Sequence, residues 1–179
     1  QFGLRPGPMM ASSDKFEIEL GGKGCHAAMP HTGTDLVLAA ASIIKELHTI
    51  VGRSVDPLEP AVVSVAHLKA GDGAYNVMPG TALLRGTARA FSTGVQDIIE
   101  RRIREICAGL SAAHGAKAEV KYSRNYPPTV NDEAQAAVCA EAAAALAGKD
   151  SVVAVKPVMG AEDFSFMLRA RPGCYLFAG

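Results

Sequence analysis

The stretch AVVSVAHLKAGDGAYNVMPGTALLRGTARAF, Ala61–Phe91, carries the choice between a sheet-based and a helical domain. Ala61–Leu68 is rich in β-branched side chains and reads as a strand. Thr81–Phe91 reads as a second strand of the same pair. The intervening AGDGAYNVMPG is loaded with glycine and closed by Pro79, so it is a loop rather than a helix.

Upstream of this pair, Asp35 opens a helical pattern. Leu36, Ala40, Ile43, Ile44, Leu47 and Val51 fall on one face, with Lys45, Glu46 and His48 opposite. Before that helix, KFEIEL (Lys15–Leu20) alternates polar and apolar residues as a half-buried strand does. Downstream, Thr93 with Gln96 makes a capping-box pattern ahead of a long helix. Its apolar face is Val95, Ile98, Ile99, Ile103, Ile106 and Leu110, and Glu100, Arg101, Arg104 and Glu105 lie outside. Gly115 is its C-cap candidate, and AKAEVKY (Ala116–Tyr122) alternates as a fourth strand. The order strand, helix, strand, strand, helix, strand predicts an α+β, ferredoxin-like βαββαβ unit over residues 15–124.

The remainder reads differently. NYPPTVND is a linker and turn, with Pro127 and Pro128 blocking helix before Asn131 or Asp132 caps the next one. Ala134–Leu146 is an alanine-rich helix ended by Gly148, and Val152–Val155 is a short strand. GAEDFSFML is a loop entering a helix, and CYLFAG a buried strand. Residues 125–179 thus have α/β character and do not extend the ferredoxin-like unit. Residues 1–14 are a Gly/Pro-rich segment leading into it. Both ends lack closing elements, so the chain is expected to be an internal piece of a longer one.

Composition narrows the function classes. Eighteen basic residues balance eighteen acidic ones, which argues against a nucleic-acid or anionic-membrane partner. An RNA-binding ferredoxin-like sheet would also need aromatic residues on its strands, and these are sparse. No apolar run approaches the roughly 20 residues that span a bilayer. The four cysteines, Cys25, Cys107, Cys139 and Cys174, form no CxxC pair. Cys107 and Cys139 read as buried small residues, and reduced thiols fit a cytoplasmic protein.

Three places could carry chemistry. In GGKGCHAAMPH (Gly21–His31) a glycine-rich bend leads into His26, followed by two small alanines. There a histidine either donates a hydrogen bond to an oxyanion or is a plain surface residue. His26 with His31 lacks a carboxylate at metal-ligand spacing. Asn76 sits in the loop before the strand that holds Arg85 and Arg89. An even spacing puts both arginines on one strand face, either gripping a carboxylate or solvated. In MGAEDFSF, Glu162 and Asp163 stand at an expected helix start, where capping is the simple reading.

Taken in order, GGKGCHAAMPHTGTD (Gly21–Asp35), YNVMPGTALLRGTAR (Tyr75–Arg89) and MGAEDFSF (Met159–Phe166) resemble the aminoacylase/carboxypeptidase G superfamily of metallohydrolases. The similarity is to its hippurate hydrolase and indoleacetyl-amino-acid hydrolase branch, and LRPGPMMASSD (Leu4–Asp14) shares it. The resemblance implies a homodimeric amidohydrolase that cleaves N-acyl amino acids. Residues 1–14 and 125–179 would belong to its catalytic domain, and residues 15–124 would be a lid and dimerisation domain inserted into it. It implies that His26 acts across the dimer on the oxyanion, that Asn76 and Arg89 hold the substrate, with Arg89 on its carboxylate, and that the loop at Gly160 lines the pocket. It also implies two divalent metal ions, zinc, manganese, cobalt or nickel, in the full-length enzyme. The family's metal motifs, a Cys-Gly-His-Asp run and a Glu-Glu pair among them, do not occur here, so this chain is expected to hold no metal and to be inactive alone. The general base belongs to the Glu-Glu pair, which excludes Glu162 from that role. Cys25 stands where glycine is usual. The competing reading is a non-catalytic ferredoxin-like module for ligand binding or dimerisation.

Overall fold

A computed structural model describes residues 1–179. Along the chain lie β1 (Phe2–Leu4), β2 (Gly7–Met10), β3 (Ser13–Gly21), β4 (Cys25–His26), α1 (Leu36–Leu47), α2 (Ile50–Ser54), β5 (Ala61–Ala70), β6 (Val77–Met78) and β7 (Thr81–Ala90). They are followed by α3 (Thr93–Ala113), β8 (Lys117–Tyr126), β9 (Thr129–Asn131), α4 (Glu133–Ala147), β10 (Val152–Ala154), α5 (Phe164–Ala170) and β11 (Phe177–Ala178). They divide into two compact units. The first comprises Gln1–Ser13, Arg89–Gly94 and Arg124–Gly179; the second comprises Asp14–Ala88 and Val95–Ser123.

The second unit is built on a four-stranded sheet in the order β5-β7-β3-β8, the ferredoxin-like arrangement. β3 and β7 run antiparallel, in register from Asp14↔Ala88 to Gly21↔Thr81. Alternation sends Phe16, Ile18 and Leu20 inward from β3, and Ala82, Leu84 and Ala88 inward from β7. α1 buries Leu36, Ala39, Ala40, Ile43 and Leu47; α3 buries Val95, Ile99, Ile103, Ile106 and Cys107. Asp35 caps α1 by accepting a hydrogen bond from the Leu38 amide at 2.9 Å. Gly86 lies opposite Phe16 in the register. A Cβ there would fall 2.1 Å from the Phe16 ring and 2.4 Å from the Ser64 carbonyl oxygen, so only glycine lets the ring lie across the strand.

The capping box expected at Thr93 is not made. α3 starts at Thr93 itself, and Gln96 is buried. Instead of reaching back to the helix start, Gln96 donates from Nε2 to Oδ1 of the buried Asp14 at 2.9 Å. A buried carboxyl has the stronger need of a donor.

In the first unit, β1 lies between β10, to which it is parallel, and β11, to which it is antiparallel. The expected linker NYPPTVND is largely strand. β8 continues to Tyr126, and Thr129–Asn131 pair antiparallel with β2. Pro127 and Pro128 interrupt the backbone only between two strands, where neither needs to donate. Asn131 is buried and stitches three segments: its Nδ2 donates to the carbonyls of Arg5 and Tyr175, each at 2.9 Å, and its Oδ1 accepts from the Tyr175 amide at 2.7 Å. CYLFAG is less strand-like than its composition suggests. Only Phe177–Ala178 pair, and Cys174–Phe177 are half-buried. α4 is capped by Asp132 and ends at Gly148, where φ is +86°.

Candidate functional site

The site in the second unit begins with a pair of very short strands. β4 and β6 pair antiparallel, with Cys25 opposite Met78 and His26 opposite Val77. One residue further on, the Ala27 amide donates to the Asn76 carbonyl at 2.9 Å. The glycine-rich bend and the Asn76 loop, fifty residues apart in sequence, are thereby stitched side by side. Packing within the bend is close: a Cβ on Gly33 would sit 2.6 Å from both the Cys25 sulfur and the Lys23 carbonyl oxygen. Cys25 in turn points its thiol at the Met78 sulfur, 3.6 Å away. A short 3₁₀ turn, Pro30–Thr32, carries the exposed His31 away from His26 toward α1.

The backbone fixes the tautomer of His26. The Ala28 amide donates to Nδ1 at 3.1 Å. A backbone N–H has no lone pair to offer, so Nδ1 accepts and the proton of the neutral imidazole resides on Nε2. Nε2 makes no hydrogen bond within the chain, and His26 is exposed. The Asn76 side chain is likewise exposed and makes none. Around them stand Tyr75, fully exposed, and Met29 and Val77, each about half exposed. Sequence reasoning passed over this apolar rim. The visible signal was an aromatic residue inside a glycine-rich polar loop.

Arg89 and Gly160 lie in the first unit. Arg89, the next-to-last residue of β7, is half-buried and donates from Nη1 to the Ser12 carbonyl at 3.3 Å. Arg85, four residues earlier, is engaged otherwise: its Nε donates to Glu17 Oε2 at 2.6 Å across the sheet. That hydrogen bond holds the Glu17 carboxyl below the usual carboxylate range. Gly160 lies two residues after Val158, whose backbone bonds to Met9 and Ala11, and a Cβ on Gly160 would approach the tip of the Met10 side chain at 3.1 Å. The carboxylates beside it do not cap α5. Asp163 occupies the N-cap position without a side-chain hydrogen bond, while Glu162 accepts from the Asp163 amide at 3.1 Å and from the Tyr175 hydroxyl at 3.4 Å. Burial, then the charge of Glu162, raises the Tyr175 phenol above its ordinary pKa.

Nowhere in the chain do three His, Cys, Asp or Glu side chains converge as a metal-ligand set would. The residues present do not fit a bound divalent ion.

The model of peptidase family M20/M25/M40 matches residues 4–179. The chain belongs to this family. Among curated relatives of this M20 chain, N-acetyl-L-cysteine deacetylase of Bacillus subtilis is 38% identical over 177 residues, 99% of this chain and 42% of its own length. IAA-amino acid hydrolase ILR1-like 4 of Arabidopsis thaliana is 38% identical over 183 residues, 100% of this chain and 41% of its own length. Among solved structures, the Bacillus subtilis YXEP protein, described as a dinuclear metal binding peptidase from the M20 family, superposes with a TM-score of 0.78 at 31% identity. That superposition covers 98% of this chain and 42% of the other. The M20 chain therefore spans less than half the length of the relatives it matches. Its α+β architecture is that of the family, and no helix in it is long and apolar enough to cross a membrane.

Proposed function

We propose that this chain supplies the substrate-gripping part of a metal-dependent amidohydrolase that cleaves N-acyl amino acids, hippurate-like ones among them, to a carboxylic acid and a free amino acid. The observation that carries the reading is the pairing of β4 with β6, which holds His26 and Asn76 together at an exposed loop tip. A neutral imidazole with its proton on Nε2 is a donor suited to the oxyanion of a tetrahedral intermediate. It also keeps that donor without the desolvation cost of a charged ring. The unengaged Asn76 amide and the Arg89 guanidinium would hold the substrate α-carboxylate; arginine does so with two parallel hydrogen bonds. Gly160, having no side chain, would leave room for the substrate beside it.

In this reading the divalent metal ions, zinc, manganese, cobalt or nickel, are held elsewhere in the full-length enzyme, and the chain alone is inactive. An apolar rim of Met29, Tyr75 and Val77 suits a loop tip that docks into a second subunit's active site. Homodimerisation through the second unit is supported further by β5, an edge strand of the sheet, and by Val37 and Leu38, half exposed on α1 beside it. Four free cysteines suit a reducing, cytoplasmic setting.

The test is Arg89→Lys in the full-length enzyme, assayed on an N-acyl amino acid and on its carboxamide. Loss of the bidentate grip lowers kcat/KM on the carboxylate substrate by about 10–100-fold and leaves the carboxamide nearly unchanged. Full activity in the variant, or equal losses on the two substrates, removes Arg89 from the carboxylate.

A further inference from the structure

Cys25 and Cys107 belong to the second unit, and neither has a thiol to pair with. Cys25 meets the sulfur of Met78, a thioether that cannot form a disulfide, and Cys107 is sealed in the core, where burial pushes its thiol up to about 12. Cys139 and Cys174 both belong to the first unit, and they face one another.

Their approach follows from how α4 lies on the three-stranded sheet of that unit. α4 turns one stripe inward. Ala136 and Ala143 are buried, and Cys139, three residues after the one and four before the other, stands half-buried on the same stripe. Ala136 and Ala140 line a hollow together with Leu4 of β1. The residue before Leu4 faces the other way: Gly3 pairs with Phe177, and a Cβ on it would lie 3.7 Å from the Phe177 Cβ. Tyr175 shares that far face, its ring meeting Phe177 edge-on at 5.8 Å and Phe164 at 5.7 Å. With Tyr175 and Phe177 turned away from α4, alternation turns Cys174 toward it. The backbone on both sides of Cys174 is tied to the start of the same helix. The Gly173 carbonyl accepts from the Asp132 amide at 3.0 Å, and the Tyr175 amide donates to Asn131 Oδ1 at 2.7 Å. Burial first, and then the Cys139 thiol within hydrogen-bonding reach, push the Cys174 thiol up to about 11.

We infer that Cys139 and Cys174 are a site of reversible oxidation: a small disulfide such as oxidised glutathione converts the two thiols into one disulfide, which clips segment 171–176 to α4. The exchange takes two steps. The Cys139 sulfur gives up its proton and attacks one sulfur of oxidised glutathione; that S–S bond breaks, and one glutathione leaves and takes the proton. Cys174 is held protonated at neutral pH, so it acts second. It loses its proton and attacks the Cys139 sulfur of the mixed disulfide, and the second glutathione leaves as a thiol. The two cysteines lose two electrons and two protons, and the two glutathione thiols gain them. In a reducing setting the pair rests as thiols. The site is independent of the proposed hydrolysis of N-acyl amino acids.

The experiment incubates the folded full-length enzyme with oxidised glutathione, blocks remaining thiols by alkylation and maps unreduced peptides by mass spectrometry. The expected result is a peptide pair joined through Cys139 and Cys174 and released by dithiothreitol. Because the second thiol attacks as a close neighbour, joined peptides should outnumber those carrying glutathione on either cysteine by about tenfold or more. Cys174→Ser, its fold verified by circular dichroism, should instead keep glutathione on Cys139. Limited proteolysis of the wild-type enzyme reads the clip itself. Cleavage between residues 171 and 176 should slow by about tenfold or more on oxidation, since the bond closes a long loop, and recover on reduction. Glutathione held on both cysteines without a join, a join through any other cysteine, or thiols untouched until denaturant is added would each overturn the inference. So would a joined enzyme that is cleaved in this segment as fast as the reduced one.

Discussion

α3 and α4 are both long helices, yet they bury themselves in opposite ways. α3 sinks one face, Val95, Ile99, Ile103, Ile106 and Cys107 included, and leaves Arg101, Arg104 and Glu105 exposed. α4 is alanine nearly all round; it buries only Ala136 and Ala143 and leaves Val138 and Leu146 in solvent. The second unit is consequently held by a core of its own, two amphipathic helices with one face of a sheet. The first unit relies more on short strands and on polar stitches, of which Asn131 is the best example. Amphipathic periodicity carries information about where a partner surface lies. A uniformly alanine-rich helix announces that it is a helix and little else.

The contrast is sharpest at Gly86, where the core of the second unit tolerates no added atom. Gly86→Ala sets a methyl group against the Phe16 ring and the Ser64 carbonyl, and is expected to destabilise the chain by about 3 kcal/mol in denaturant unfolding. A neutral result would mean that the sheet is looser than its packing implies. Asn131→Leu probes the other unit. It leaves the Arg5 and Tyr175 carbonyls and the Tyr175 amide without their partner, at a cost of about 2 kcal/mol. Limited proteolysis should find the damage between residues 171 and 176 and spare the second unit; cleavage in the second unit first would contradict the division drawn between them.

The smallest effect is expected on the outer face of the sheet. Arg85 holds the Glu17 carboxyl below its ordinary pKa, chiefly by hydrogen bonding. A group whose folded pKa is depressed contributes stability that is present above its unfolded value and is lost as pH falls through the folded one. The pair is exposed, so the contribution at neutral pH is slight. Arg85→Ala should move the Glu17 titration, followed by carboxyl NMR, up toward the ordinary carboxylate range while leaving the unfolding midpoint at pH 7 almost unchanged. A large loss of stability at pH 7 would give Arg85 a structural weight that its exposure denies.

Much of this was legible in the sequence because it is periodic. The alternation of Lys15–Leu20, the apolar faces after Asp35 and Thr93, and the glycine-rich break before Thr81 are enough to give the four-stranded sheet with its two main helices. Short elements escaped because their partners are remote. β9 is three residues long and pairs with a strand more than a hundred positions away, so two prolines beside it read as a linker. β4 and β6 are two residues each, too short for any period. His26 and Asn76 could be picked out as candidates one by one, but their juxtaposition depends on that pairing. Local spacing points to Gln96 as a capping partner of Thr93; the claim of a buried carboxyl from another segment cannot be seen locally. Arg85 and Arg89 look equivalent by spacing, and only the position of Glu17 on the neighbouring strand separates an ion-paired arginine from its half-buried neighbour.

We propose that His26 acts on the transition state from a loop tip that reaches another subunit. The most direct measurement is activity in mixed dimers of the full-length enzyme, one subunit carrying His26→Ala and the other lacking its metal ligands, with circular dichroism confirming that each folds. Removal of an oxyanion donor lowers kcat by about 10²–10³-fold with little change in KM, so each parent homodimer should be nearly inactive. In the mixed dimer one composite site loses both groups and the other keeps both, and activity should rise well above either parent. Verified mixed dimers without recovery would contradict the cross-subunit arrangement, and an unchanged kcat in the His26→Ala homodimer would contradict the role of the imidazole itself.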